Sequence, residues 1–193
     1  GDAEGDTLQF IENLSGSALS DVLTGDNGIN RIAGLSGADQ IFGLGGDDYI
    51  LTGGGYDFVD GGTGLDTVTY EDSWGRVVVN LTTGINQYSE AARDVLVNVE
   101  RIVGSRYDDR LTGDANDNRL TGGEGNDVLN GMAGIDYLFG SAGNDTMTGG
   151  AGMDRLIGGT GNDQIDGGDD DDTLGGSQGH DNIVAGAGDD IVF

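Results

Sequence analysis

The sequence predicts an all-β fold of stacked coils, about eighteen residues to a coil, in two repeat blocks joined by an irregular segment that contains strands. Three observations predict it. A nonapeptide recurs without gaps, in six units over 16–69 and ten over 104–193. Position eight of the unit is aliphatic in all sixteen, from Leu23 to Val192. Position one is Gly in fourteen units and position four in twelve. Apolar residues thus recur at nine and not at 3.6, so no helical pattern competes.

The elements follow in chain order. Residues 1–15 are a lead-in to the first block. Residues 6–68 align with 94–156 at an offset of 88, with 25 identities in 63 positions. The shared residues include Asp6 with Asp94, Leu8 with Leu96, Glu12 with Glu100, and Asn30-Arg31 with Asn118-Arg119. Since 88 is not a multiple of nine, the short repeat alone does not cause this match, and each block has the same lead-in. The first lead-in begins almost at residue 1, which suggests a piece of something longer.

Within each unit, positions one to five are rich in Gly, Asn and Asp, which reach positive φ at low cost and so form a turn. Positions six to nine form a short strand with one inward aliphatic. A turn and a strand make half a coil, so two units close one coil and the position-eight side chains stack in two ladders. The best-formed units read GGEGNDVLN from Gly122 and GGTGNDQID from Gly158. Residues 70–103 break the period. Val77 to Leu81 reads as a strand, 84–92 as a loop, and Asp94 to Val103 as one further strand. The segment reads as a longer irregular coil, with a separate recognition loop as the alternative.

Composition bounds the function. The 193 residues carry 35 acids, 8 bases and a net charge of −27, with no Pro and no Cys. Without Cys there is neither a disulfide framework nor a thiolate site. No apolar run approaches the ~18 residues of a membrane span. No basic region followed by an apolar one marks a cleavable signal. Nucleic acid needs a basic surface, so it is not an expected partner. Cations are.

Position six explains which cation. It is Asp in fourteen units, with Asn30 and Asn118 the exceptions. Rows of carboxylates ~5 Å apart along a stack repel one another. A turn-capping role alone predicts Asp, Asn and Ser about equally, which the near-uniform Asp argues against. A hard divalent ion between coils accounts for the row. Calcium takes six to eight oxygens in irregular geometry, magnesium demands a tighter octahedron, and zinc or copper wants the His and Cys that one His and no Cys do not supply.

The pattern GGxGxDxUx, with U aliphatic, resembles the calcium-binding nonapeptide of the repeats-in-toxin (RTX) family over 16–69 and 104–193. The resemblance implies a parallel β-roll (a right-handed β-solenoid) with calcium ions between turns n and n+2. It implies one-step (type I) export from a Gram-negative bacterium and folding on external calcium. Carried over by position, the implied metal ligands are Asp21, Asp39, Asp48, Asp57, Asp66, Asp109, Asp127, Asp136, Asp145, Asp154, Asp163, Asp172, Asp181 and Asp190. Six units give four ions and ten give eight, and discounting weak units leaves about eight to eleven. Asn30 and Asn118 offer a neutral oxygen, and Leu19, Tyr107, Asn116 and Asp170 replace the position-four Gly and are expected to strain their turns.

Other constellations are weak. His180 is a turn residue, no HExxH occurs, and no nucleophile–base pair is visible, so the chain reads as no enzyme. Asp114 to Asn118 lacks the Gly and Glu of an EF-hand loop. The expected function is a module that folds on calcium outside the cell and stabilises or displays a larger secreted or cell-surface protein, such as an adhesin, toxin or exoenzyme. The alternative is an accessory module that grips a polysaccharide or cell surface through Trp74, Arg76, Tyr88 and Arg93. A bare chain cannot offset ~1–2 kcal/mol of backbone entropy per residue with so thin a core. Acid, approaching pH ~4, is expected to mimic calcium loss.

Overall fold

The computed structural model describes residues 12–84, 86 and 93–193. The chain divides into two compact units, Gly1–Ile102 and Val103–Phe193. Among the described residues every regular element is a strand.

In the first unit the nonapeptides give three-residue strands: β1 (Asn13–Ser15), β2 (Val22–Thr24), β3 (Arg31–Ala33), β4 (Gln40–Phe42), β5 (Tyr49–Leu51), β6 (Phe58–Asp60) and β7 (Thr67–Thr69). Odd strands pair with odd and even with even. The order β1-β3-β5-β7 is parallel throughout, in a register of eighteen that sets Leu14, Ile32, Ile50 and Val68 in one column. The facing order β2-β4-β6 sets Leu23, Ile41 and Val59 in another. This is a β-solenoid with eighteen residues per coil, as the repeat predicts.

The irregular segment holds β8 (Val78–Asn80), β9 (Val95–Val97) and β10 (Arg101–Val103). The stretch from Asp94 to Val103 is two strands and not one. Asn98 takes φ 51° and breaks it. β9 pairs in parallel with β6 and puts Leu96 above Val59. The coil after β6 is therefore longer than eighteen residues, and the chain returns to the same sheet. Tyr70, Val77 and Val79 are buried and Trp74 is exposed. Most of the expected loop over 84–92 lies outside the described residues.

The second unit is more regular. Its strands run β11 (Arg110–Thr112), β12 (Arg119–Glu124), β13 (Val128–Ala133), β14 (Tyr137–Ala142), β15 (Thr146–Ala151), β16 (Arg155–Thr160), β17 (Gln164–Asp169), β18 (Thr173–Gln178), β19 (Asn182–Ala187) and β20 (Ile191–Val192). One parallel sheet is β12-β14-β16-β18-β20 and the other β11-β13-β15-β17-β19. From β12 to β19 the strands are six residues long, because positions two and three of the next nonapeptide pair as well, as in Gly123 with Ser141.

Fourteen of the sixteen position-eight side chains are buried. Ile183 and Val192, in the last coil, are not: Val192 is 52% exposed. Position eight thus supplies most of the core but not nearly all of it. The lead-ins and the irregular segment add Leu14, Leu96, Val99 and Ile102 besides Tyr70, Val77 and Val79. One inward aliphatic per nine residues makes a narrow core, and polar turns flank it on both sides.

Candidate metal centre

Within the two repeat blocks each strand is preceded by a Gly-rich turn, and eighteen-residue register stacks turn on turn. Position six ends the turn, so its side chains form four rows. In each row an N–H donates to a carboxylate oxygen in the following coil. Asp21 N donates to Asp39 Oδ1 (2.9 Å), Asp39 N to Asp57 Oδ1 (2.8 Å) and Asp57 N to Asp94 Oδ1 (3.0 Å). The second row runs from Asn30 N to Asp48, from Asp48 N to Asp66, and from Asp66 N to Glu100 Oε2 (2.9 Å). The third joins Asp109, Asp127, Asp145, Asp163 and Asp181 at 2.8–3.0 Å. The fourth joins Asn118, Asp136, Asp154, Asp172 and Asp190 at 2.7–3.0 Å.

Asp94 and Glu100 are members of these rows that the nine-residue pattern misses. They lie 37 and 34 residues after their partners instead of eighteen. The signal that points to them is the lead-in alignment, in which Asp94 and Glu100 match Asp6 and Glu12.

The second carboxylate oxygen is the unusual one. In Asp39, Asp48, Asp57, Asp66, Asp127, Asp136, Asp145, Asp154, Asp163 and Asp172, Oδ2 is buried and has no hydrogen-bond partner. A buried, unpaired, ionised oxygen is costly. In nine of the ten, Oδ2 faces the position-one Gly of its own unit; the unit of Asp57 has Thr52 there. A Cβ on Gly34 would lie 2.6 Å from Asp39 Oδ2 and 2.5 Å from the Thr52 carbonyl oxygen of the next coil. A Cβ on Gly131 would sit against Asp136 Oδ2 and 2.7 Å from the Gly149 carbonyl oxygen. Position one is Gly because a carboxylate and a carbonyl border that space.

Burial pushes these carboxyls up. Asp127 and Asp136 reach about 7 and Asp48, Asp57, Asp145 and Asp154 about 6, against an ordinary 3.8. Desolvation is the main cause, the row N–H opposes it, and neighbouring carboxylates add to it, as Asp154 does at Asp136. Asp39, Asp66, Asp163 and Asp172 shift the same way.

The donor set fits calcium. It consists of oxygen only, with one buried, unpaired carboxylate oxygen in ten of the sixteen turns and backbone carbonyls beside it. Among the described residues no three His, Cys, Asp or Glu side chains converge as a metal-holding group. Much of any ion's shell must then be main-chain oxygen, which suits calcium and not zinc.

One expectation changes. Leu19, Tyr107 and Asn116 replace Gly at position four without taking positive φ, so those turns are unstrained; of the four substitutions only Asp170 does, at φ 77°. Of the residues expected to grip a polysaccharide, Tyr88 lies outside the described residues, Trp74 is exposed, and the Arg93 guanidinium rests over the Tyr56 ring at 5.2 Å. A feature that sequence reading passed over is a second ladder at position five. Asn144 N donates to Asn126 Oδ1, Asn162 N to Asn144 Oδ1, and His180 N to Asn162 Oδ1 at 2.8–2.9 Å. His180 is thereby a turn-stacking residue.

The family model described as RTX calcium-binding nonapeptide repeat (4 copies) matches residues 15–50, 24–59, 43–71, 98–129, 121–156, 148–183 and 175–193. A search of curated proteins gives no match. The family match takes in both blocks and the end of the second lead-in, well over half of the chain. The chain belongs to the RTX calcium-binding nonapeptide-repeat family and is a calcium-binding β-solenoid module.

Proposed function

We propose that the chain is a folding switch: a module that stays extended where calcium is scarce, folds where it is abundant, and so stabilises or displays a larger exported protein. The observation that carries this reading is the set of ten buried Oδ2 atoms without a partner. Ligation falls to the position-six Asp residues, with about eight to eleven ions per chain. When bound, calcium supplies the positive charge that separates neighbouring carboxylates. The chain itself supplies the rest: Oδ1 ties coil to coil, Oδ2 faces the space beside the position-one Gly, and position eight fills the interior. Metal-binding free energy is then folding free energy. A net charge of −27 and 40 Gly residues hold the metal-free chain open. Type I export from a Gram-negative bacterium into calcium-rich surroundings suits such a chain. Residues 16–69 and 104–193 act as the calcium-dependent blocks, 1–15 and 70–103 as the segments that lead into them, and none of these carries out catalysis.

Small-angle scattering tests the switch. In chelator the radius of gyration is expected near the roughly 45–50 Å of an unfolded chain of this length, with contraction by a third or more in millimolar calcium. Equal radii in the two conditions would refute the proposal.

A further inference from the structure

The turns fall into two classes. In twelve units the position-two residue has positive φ, from 74° at Ser177 to 121° at Gly150. In four it does not: Ser17, Asp26, Ser105 and Asp114. These four form the first coil of each block, residues 16–33 and 104–121. Each is Ser or Asp, and its side chain accepts the N–H two residues on: Leu19 N to Ser17 Oγ, Gly28 N to Asp26 Oδ1, Tyr107 N to Ser105 Oγ, Asn116 N to Asp114 Oδ1, at 2.7–3.1 Å. This local bond gives the turn a different path.

The consequence lies at position six. On the different path, the position-two N–H points at the position-six side chain and donates to it. Ser17 N donates to Asp21 Oδ2 (2.6 Å) and Ser105 N to Asp109 Oδ2 (2.5 Å), each with the Ser hydroxyl on the same oxygen at 3.0 Å. Asp26 N donates to Asn30 Oδ1 and Asp114 N to Asn118 Oδ1, both at 2.7 Å. None of these four oxygens is among the buried ones left unpaired, whereas the next coil of each block has two such oxygens, Asp39 and Asp48, then Asp127 and Asp136. Both Asn substitutions fall in these coils, where a neutral side chain leaves no charge to counter.

We propose that the first coil of each block is a calcium-independent cap. An N–H of the chain occupies the oxygen that elsewhere is open to an ion, so 16–33 and 104–121 close their turns without metal and present a ready edge for the calcium-dependent coils. In a quasi-one-dimensional stack such an edge lowers the cost of starting the fold and sets its direction, from the first coil of the block onward. This rests on the switch reading above and removes Asp21 and Asp109 from the ligand set.

The test converts a cap into an ordinary coil. The variant Ser105→Gly/Asp114→Gly/Asn118→Asp restores Gly at position two and Asp at position six. Equilibrium dialysis against calcium is expected to show at least one more ion per chain than the wild type, with a higher calcium midpoint for folding. An unchanged ion count overturns the cap. If the variant does not fold, hydrogen exchange of the wild-type chain at rising calcium decides. Protection of 104–121 at lower calcium than 122–172 supports the cap, and the reverse order overturns it. A wild-type chain that binds no ion overturns the switch itself, so the two failures are distinguishable.

Discussion

Asp136→Asn separates the two roles of the carboxylate. Asp136 is fully buried, its Oδ1 accepts the Asn118 N–H at 2.7 Å, and its Oδ2 has no partner. Burial, with Asp154, Asp117 and Asp114 nearby, pushes its pKa from 3.8 to about 7. Three units at ~1.4 kcal/mol each place the ionised group on the order of 4 kcal/mol above its level in the unfolded chain at neutral pH. The amide keeps the acceptor and removes the charge, but puts an unpaired NH2 where Oδ2 was, at a cost of ~1–3 kcal/mol. The metal-free fold is therefore expected to gain ~1–3 kcal/mol, while the calcium-loaded fold loses a ligand. Far-UV circular dichroism reads both signs: less stabilising osmolyte to fold the variant in EGTA, more calcium to fold it without osmolyte. A variant that needs more osmolyte than wild type, or the same calcium, would refute the reasoning.

The raised carboxyls also set the pH dependence. A folded-state pKa above the unfolded one means that the metal-free fold holds protons longer, so its stability is greatest below pH ~4 and is lost as pH rises through the folded values of about 6 to 7. Calcium binding has the opposite sign, since protons compete for the same oxygens. Between pH 8 and 5 the osmolyte needed in EGTA should fall while the calcium midpoint rises; parallel movement of the two would contradict this. Acid thus weakens calcium binding well above pH 4, yet relieves the bare chain. Leu44 sits at position two with φ 78° and is 47% exposed. The left-handed conformation costs ~1–2 kcal/mol, partly offset by the unfolded freedom of Gly, so Leu44→Gly should stabilise the calcium form by ~1 kcal/mol and raise its Tm by about 2–4 °C. A lowered Tm would count against that backbone. Asp136→Ala, inside the stack, should raise the calcium midpoint more than Asp190→Ala, whose row ends there; equal shifts would contradict the ordering.

The coil length, the strand faces and the Asp rows were legible because each is a property of one repeat. Ile50 recurs from Ile32 at eighteen, and stacking follows from that number alone. What the period could not reveal was local or long-range. Asp94 and Glu100 join the rows only because the irregular segment folds back, β9 onto β6 and β10 onto β7, and no nine-residue count reaches them. The break at Asn98 is one residue at φ 51° in a sequence, Val-Leu-Val-Asn-Val, that alternates as a strand does. The difference between Ser105 and Gly123 at position two was visible as letters, but its effect depends on which oxygen the N–H reaches. Position-four substitutions misled for the same reason: where position two follows the other path, Tyr107 needs no positive φ.

The central claim is that the position-six rows are filled by calcium and that filling them makes the fold. One calcium titration of the chelator-treated chain, reading bound ions and far-UV circular dichroism on the same sample, tests both halves together. The account predicts little β signal in excess EGTA and a steep return of that signal as about eight to eleven ions bind. A β signal unchanged by chelator, or one restored by a single ion, would contradict it.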